Sequence, residues 1–130
     1  MGCLPWFAIL RRTLSDAPIP DFDGDERGLV AQMLYDRYGH AVAIEDADAE
    51  LALAPPSPAL TACATLYWCE RGAHFVVSKI APQWYRAEFF YDDGRHYGTG
   101  IERFDDLRRC VTTLLRLQAD EERERVRGRP

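Results

Sequence analysis

The spacing of apolar residues changes several times along the chain, and each change predicts an element. Val30, Met33, Leu34 and Tyr38 recur at i, i+3, i+4 and i+8, one stripe of a helix over residues 26–38. Gly39 follows as its natural stop. Before it, SDAPIPDFDGDE (15–26) carries two prolines and five acids and predicts an acidic loop leading into the helix. The short apolar run in MGCLPWFAILRR predicts a buried N-terminal strand. Two short alternating runs, 41–45 and 50–54, predict a pair of strands parted by acidic turn residues. APPSPAL (54–60) then predicts a stiff extended connection, too short to divide two domains.

The second half alternates more regularly. Strands are predicted over 62–70, 74–80, 84–92 and 95–101, with a tight turn at Arg71-Gly72 and an interruption at Pro82. Asp93-Gly94 is the strongest hairpin signal, suited to a two-residue type I′ turn. In that register Phe90 faces Tyr97 and Phe89 faces Gly98, leaving a glycine face that a helix or ring can approach closely. Phe104, Leu107, Val111, Leu114 and Leu115 mark the buried stripe of a long last helix, capped by Asp105 or Asp106. The charged end, 119–130, is expected to fray. The predicted fold is a single α+β domain over 1–130: an antiparallel sheet of four to six strands with two helices on one face.

Composition narrows the function. The chain has 130 residues, 47% apolar and 28% charged, which is ordinary for a globular domain able to bury a core without staples. Its net charge of −5 is uneven. Residues 1–59 hold 4 Arg and 10 acids, hence −6; residues 60–130 hold 11 Arg and Lys79 against 11 acids, hence +1. An acidic front argues against nucleic acid, which needs a concentrated basic face. The abundance of Arg and Ala beside a single lysine reads as the codon bias of a GC-rich, bacterial genome. No apolar run approaches membrane-spanning length, and the N-terminal run lacks the basic leader and cleavage site of a signal peptide. A cytoplasmic protein with reduced, buried thiols is expected.

The candidate chemistry is sparse. Cys3, Cys63, Cys69 and Cys110 form no close pairs of a zinc site, so no metal and no cofactor are expected. Asp21, Asp23 and Asp25 alternate as in a calcium loop, but Gly24 and Gln32 stand at the wrong positions for one. Gly98-Thr99-Gly100 precedes a helix without the third glycine or the Gly-Lys-Ser/Thr of a phosphate cradle. His74, Cys69 and Ser78 are the weak catalytic candidates, since Cys69 falls opposite His74 across the Arg71-Gly72 turn and Ser78 lies on the same strand as His74; no nucleophile signature surrounds them. The excess is in aromatics. Tyr67, Trp68, Trp84, Tyr85, Phe90, Tyr91 and Tyr97 are interleaved with Arg86, Arg95 and Lys79, the residue types that anchor protein interfaces.

The run YDDGRHYGTG before the last helix resembles the end of a double-stranded-RNA-binding domain, but Phe104-Asp105-Asp106 stands where that family's helix is basic. GRHYGTGIERFDDLRRCV resembles the end of an SH2 domain, but FVVSK (75–79) lacks the arginine that binds phosphotyrosine. The reading that results is a small non-enzymatic protein that binds another protein, with Trp84, Arg86, Phe90, Arg95 and Tyr97 as the contact residues. Toxin-neutralising immunity proteins and secretion chaperones are often acidic α+β domains of this size. The alternatives are a small enzyme using the Cys/His or Ser/His pair, and a nucleic-acid-binding domain using the aromatic and arginine face.

Overall fold

The computed structural model describes residues 9–11, 20–53 and 59–127. The expected Pro-rich connection lies mostly outside them, as does most of the N-terminal run. Eight elements follow in order: β1 (Ile9–Arg11), α1 (Gly24–Tyr38), β2 (Glu45–Leu51), β3 (Thr61–Glu70), β4 (Ala73–Ala81), β5 (Trp84–Phe90), β6 (His96–Gly98) and α2 (Leu107–Val126). The strands form one sheet in sequential order, β1 to β6, every neighbour antiparallel. This is an α+β fold, and both helices pack on the same face.

Strand alternation divides the sheet into two faces. Leu66, Trp68, Phe75, Val77, Ala87 and Phe89 point to the helices and form the core with Val30 and Leu34 of α1 and Leu107, Val111, Leu114 and Leu115 of α2. Fully burying each such side chain contributes about 1.5–3 kcal/mol. The opposite face carries a smaller cluster, Tyr67, Val76 and Phe90, beside buried Thr65, His74 and Ser78.

Helix α1 starts at a capping box. The Asp23 carboxylate accepts the Glu26 N–H, and the Glu26 side chain accepts the Asp23 N–H, each at 2.8 Å. The acidic loop therefore has a concrete use. Glu26 also accepts from Lys79 Nζ of β4 at 2.8 Å and from the Tyr85 hydroxyl of β5. Both members of the Lys79–Glu26 pair are almost wholly buried. At the far end Gly39 adopts φ 80 and its N–H donates to Tyr35 O, the left-handed cap that glycine allows. Helix α2 begins at Leu107 with Asp106 as its cap, and Phe104 is instead buried in an isolated bridge to Tyr85.

Three expectations are corrected. The two short strands over 41–45 and 50–54 are replaced by one strand, β2, spanning the acids between them. In EDADAEL the alanines Ala47 and Ala49 are buried on one face and the acids alternate on the other, a period of two hidden by turn-like composition. The end of α2 does not fray from residue 119. It continues to Val126, because Gln118 is buried with its Nε2 donating to the Tyr91 hydroxyl at 3.1 Å, and the Arg125 guanidinium lies 3.8 Å from the Tyr91 ring centroid.

The third correction concerns the Asp93-Gly94 hairpin. It is present, but its loop holds three residues. Tyr91 N donates to Arg95 O at 3.2 Å, Gly94 N to Tyr91 O at 3.1 Å, and Gly94 takes φ 88 while Asp93 keeps negative φ. That is the turn-plus-bulge connection in place of the two-residue I′ turn. The pairing slips by one residue: Phe90 faces His96, Phe89 faces Tyr97 and Glu88 faces Gly98. A one-residue slip turns every β6 side chain to the other face. Tyr97 now stacks on Phe89 at 4.9 Å on the helix side. Gly98 carries no packing demand, since a Cβ there meets nothing within 4 Å.

Two connections hold non-glycine residues at positive φ, Arg71 (57) between β3 and β4 and Gln83 (62) between β4 and β5. Left-handed backbone costs an L-residue about 1–2 kcal/mol. Gln83→Gly is expected to raise stability by about 0.5–1 kcal/mol in urea unfolding, the strain relief being partly offset by glycine's unfolded-state freedom. Lys79→Met is expected to lower stability by about 3–5 kcal/mol in the same assay, because Glu26 is left buried without its cation.

Candidate functional site

The face away from the helices is built from side chains of β2 to β6. Its most ordered feature is a row of rings on four successive strands. Tyr67, His74, Phe90 and His96 stack in turn, with centroid distances of 6.1, 4.9 and 5.0 Å and interplanar angles of 14°, 14° and 18°. The last two distances match the spacing of neighbouring strands, so the stack follows from placing one flat side chain per strand.

His74 is bonded on both sides. Its Nε2 lies 2.7 Å from Asp92 Oδ1, and its Nδ1 lies 2.9 Å from the Tyr67 hydroxyl. A carboxylate only accepts, so Nε2 carries the proton and donates to Asp92. In the neutral ring Nδ1 then accepts from Tyr67. Burial, with Glu45 and Asp92 nearby, pushes the Tyr67 hydroxyl up to about 12, which keeps it a donor. The arrangement ties the β5–β6 loop, through Asp92, to the centre of the sheet.

The hydroxyls beside it are also committed. Thr65 donates to Cys63 O at 3.0 Å, so the 2.8 Å contact between Thr65 and Ser78 is a bond that Ser78 donates. Cys69 is disulfide-bonded, which corrects the expectation of reduced thiols throughout. Cys63 and Cys110 are buried thiols. Burial raises both, Cys110 to about 12 and Cys63 in spite of Arg86 nearby. The three catalytic candidates Cys69, His74 and Ser78 do share this face, as pairing across the turn required. They do not form a nucleophile–base pair: the thiol is oxidised, both His74 nitrogens are occupied, and the Ser78 proton goes to Thr65. Among the described residues no group of three His, Cys, Asp or Glu side chains is placed to hold a metal ion.

The five predicted contact residues are scattered. Trp84 and Arg86 lie together at the start of β5, where the Arg103 guanidinium covers the Trp84 ring at 4.3 Å and Arg86 Nε donates to Glu102 O at 3.0 Å. Phe90 is wholly buried in the ring row. Arg95 is exposed at the hairpin, within 4.0 Å of Asp93. Tyr97 is on the helix side, its hydroxyl donating to Glu121 at 3.1 Å. The slip in register removes Tyr97 from the surface assigned to it, and packing removes Phe90.

A groove of about 530 Å³ crosses the same face from β2 to the segment after β6. Ala49, Leu51, Val76 and Ile101 supply apolar walls, and Arg86 and Glu88 project from alternate positions of β5 with a charge of each sign. Gly98 and Gly100 border it, Gly100 at φ 78 where glycine is required. Of the sequence candidates, Arg86 of the contact set and Ser78 of the catalytic set line this groove. Tyr67 and Asp92 were missed as partners of His74; alternation from Arg86, Glu88 and Phe90 puts Asp92 on this face, but its contact with His74 follows from the β4–β5 pairing.

No protein-family model matches the chain, and neither a curated protein nor a solved structure gives a match. Among the described residues no helix is long and apolar enough to cross a membrane.

Thiol chemistry tests whether this face is reactive. Native protein is expected to resist iodoacetamide at neutral pH, with Cys63 and Cys110 alkylating only on unfolding and Cys69 only after reduction, as read by mass spectrometry. Rapid modification of any of the three in the native state would restore the nucleophile reading.

Proposed function

We propose that the chain acts by binding another protein through the groove on the sheet face opposite the helices. The observation that carries this reading is the groove itself. Its volume of about 530 Å³ falls in the range of ligand-sized clefts, and its largely apolar walls carry Arg86 with Glu88 and Glu102. That combination suits an apolar side chain of a partner flanked by polar groups that meet Arg86 and Glu88. The original contact set contracts to Arg86, with Trp84 in a smaller hollow that Arg86 also lines. An immunity-protein or secretion-adaptor role in a bacterium remains the analogy of size and charge that suits this mode.

The enzyme reading has less support, because His74, Cys69 and Ser78 are each engaged elsewhere. The nucleic-acid reading has less support as well, since most of the aromatic rings that would stack bases are buried in the core or in the ring row, and half-buried Trp84 is covered by Arg103. The cytoplasmic setting belongs to this proposal and is in tension with the Cys69 disulfide, since reducing compartments keep such bonds rare. Trapping thiols by alkylation during cell lysis decides it: Cys69 recovered alkylated before reduction places the protein in a reducing compartment.

Gly98→Leu tests the groove. The backbone there is not left-handed and the added side chain meets open space, so stability should change by less than about 1 kcal/mol. The leucine fills the groove beside Glu88. A partner captured from native extract by the wild-type chain should be lost with Gly98→Leu at unchanged thermal midpoint. Equal capture by the variant, or no partner for either chain, would remove the reading.

A further inference from the structure

On the other side of the molecule, where both helices end, a second hollow of about 420 Å³ is walled by guanidinium groups. Arg37 comes from the last turn of α1, Arg71 from the β3–β4 turn, and Arg123 and Arg127 from the end of α2. Among the described residues Glu122 is the one carboxylate in the lining, beside four arginines. Ala119 and Val126 complete the lining, and Val126 is 79% exposed. In a chain of net charge −5, such local reversal of sign is a specific feature of the folded state.

Cations near helix C-termini also complement the helix dipole, which accounts for Arg37 and Arg123. It does not account for Arg71, which is on no helix. Arg71 occupies a left-handed turn position that Asn, Asp or Gly normally takes. There its guanidinium lies 5.6 Å from the Tyr38 ring centroid, beside Arg37 at 5.1 Å, and 3.4 Å from Glu122. Glu122 serves Arg71 and, at 3.9 Å, Arg37. Arg123 and Arg127 are exposed and, among the described residues, pair with Asp120 and Glu124 of their own helix. The clasp of Tyr38, Arg71 and Glu122 holds the hollow open, and the two outer arginines are available to exchange partners.

We infer that this hollow is a docking site for an acidic segment of a partner protein, one apolar side chain seated on Ala119 and Val126 with flanking carboxylates on Arg123, Arg127 and Arg71. Arginine suits carboxylates because its planar fork makes paired bonds. The apolar floor favours a peptide over a bare polyanion. The inference does not depend on the groove, which lies on the opposite face.

The test is fluorescence anisotropy with a labelled peptide of sequence Glu-Asp-Leu-Glu-Asp-Leu-Glu. Binding that weakens with salt, and weakens at least tenfold in the double variant Arg123→Gln/Arg127→Gln, is the expected result. Arg71→Gly is a second variant: glycine suits the left-handed turn, so the fold is retained while the peptide affinity drops. Absence of binding, or equal binding by the variants, overturns the inference. So does displacement of the peptide by pyrophosphate or an oligothymidine at comparable concentration, which would make the site a general anion site. Concentration-dependent self-association lost in the same variants would assign the site to a second copy's acidic loop and overturn the choice of a separate partner.

Discussion

The Glu26 carboxylate joins three parts of the molecule. It closes the capping box of α1, accepts the Lys79 ammonium from β4, and accepts the Tyr85 hydroxyl from β5. Few positions in the chain could combine these tasks. Glu26 has to be at the third helical position to cap, and it then shares a stripe with Val30 and Leu34, four and eight residues on. The residue that starts the helix therefore also aims its apolar stripe at the sheet. Lys79 completes the arrangement by donating to Asp21 O at 3.1 Å, with its ammonium 5.9 Å from the Phe22 ring centroid, which brings the loop before the helix onto the same point. A buried ion pair adds little net stability compared with an apolar pair of the same shape, but removing one half is expensive. Its effect here is on placement. A helix docked by apolar contacts alone can slide along a row of alanines and valines; one tied through a single buried carboxylate has one register.

At the other helix the polar clamp lies at the rim. Tyr91 and Tyr97 meet edge to face on the helix side of the hairpin, and α2 engages both, Gln118 and Arg125 on Tyr91, Glu121 on Tyr97. Arg125 also reaches Asp93 at 3.3 Å, and with the Arg95 N–H first it holds the Asp93 carboxyl below its usual range. Its Nε lies 3.4 Å from Glu121 without hydrogen-bond alignment, an ion pair more than a hydrogen bond. These contacts explain how a helix of charged residues, ADEERERV, remains helical past the apolar stripe. They also show why aromatic residues in this chain mislead a reader looking for a binding surface: most of the rings close one element onto another.

The helices were legible because each apolar stripe adjoins a terminal signal, Gly39 after α1 and Asp106 before α2; the Asp23–Glu26 capping box was not read, nor was the end of α2. The strands over 61–90 were legible for the same reason, as apolar runs between a tight turn and a proline. What could not be read was register. Asp93-Gly94 signals a hairpin equally well with two or three loop residues, and the difference is whether Asp93 itself adopts positive φ. That one dihedral decides which side of the sheet Tyr97 and Gly98 face, and with it the candidate site. Strand β2 was missed because acids alternating with alanine have strand periodicity but turn composition; pairing with β1 and β3 overrides the weak intrinsic preference of Asp for strands. The groove is formed by β2, β4, β5 and the loop after β6, so no single stretch of sequence could announce it.

Charge shows most clearly how far sequence and surface diverge. Along the chain, the acids are spread almost evenly while the arginines are concentrated in the second half, a split that describes no physical region. In the fold, several of the front-half acids are consumed by structure: Asp23 and Glu26 in the cap, Asp46 in a pair with Arg27, Asp21 with the Phe22 N–H and Arg27. Their charge is largely neutralised where it sits. The arginines are distributed differently. Arg37 from the acidic half joins three from the basic half at the helix ends, because an antiparallel meander of six strands brings the β3–β4 turn beside the C-termini of both helices. Net charge measured over segments would predict a repulsive front and a neutral back. The folded molecule instead has an internally balanced helix start and a positive hollow at the opposite end, and it is this spatial charge that a partner would meet.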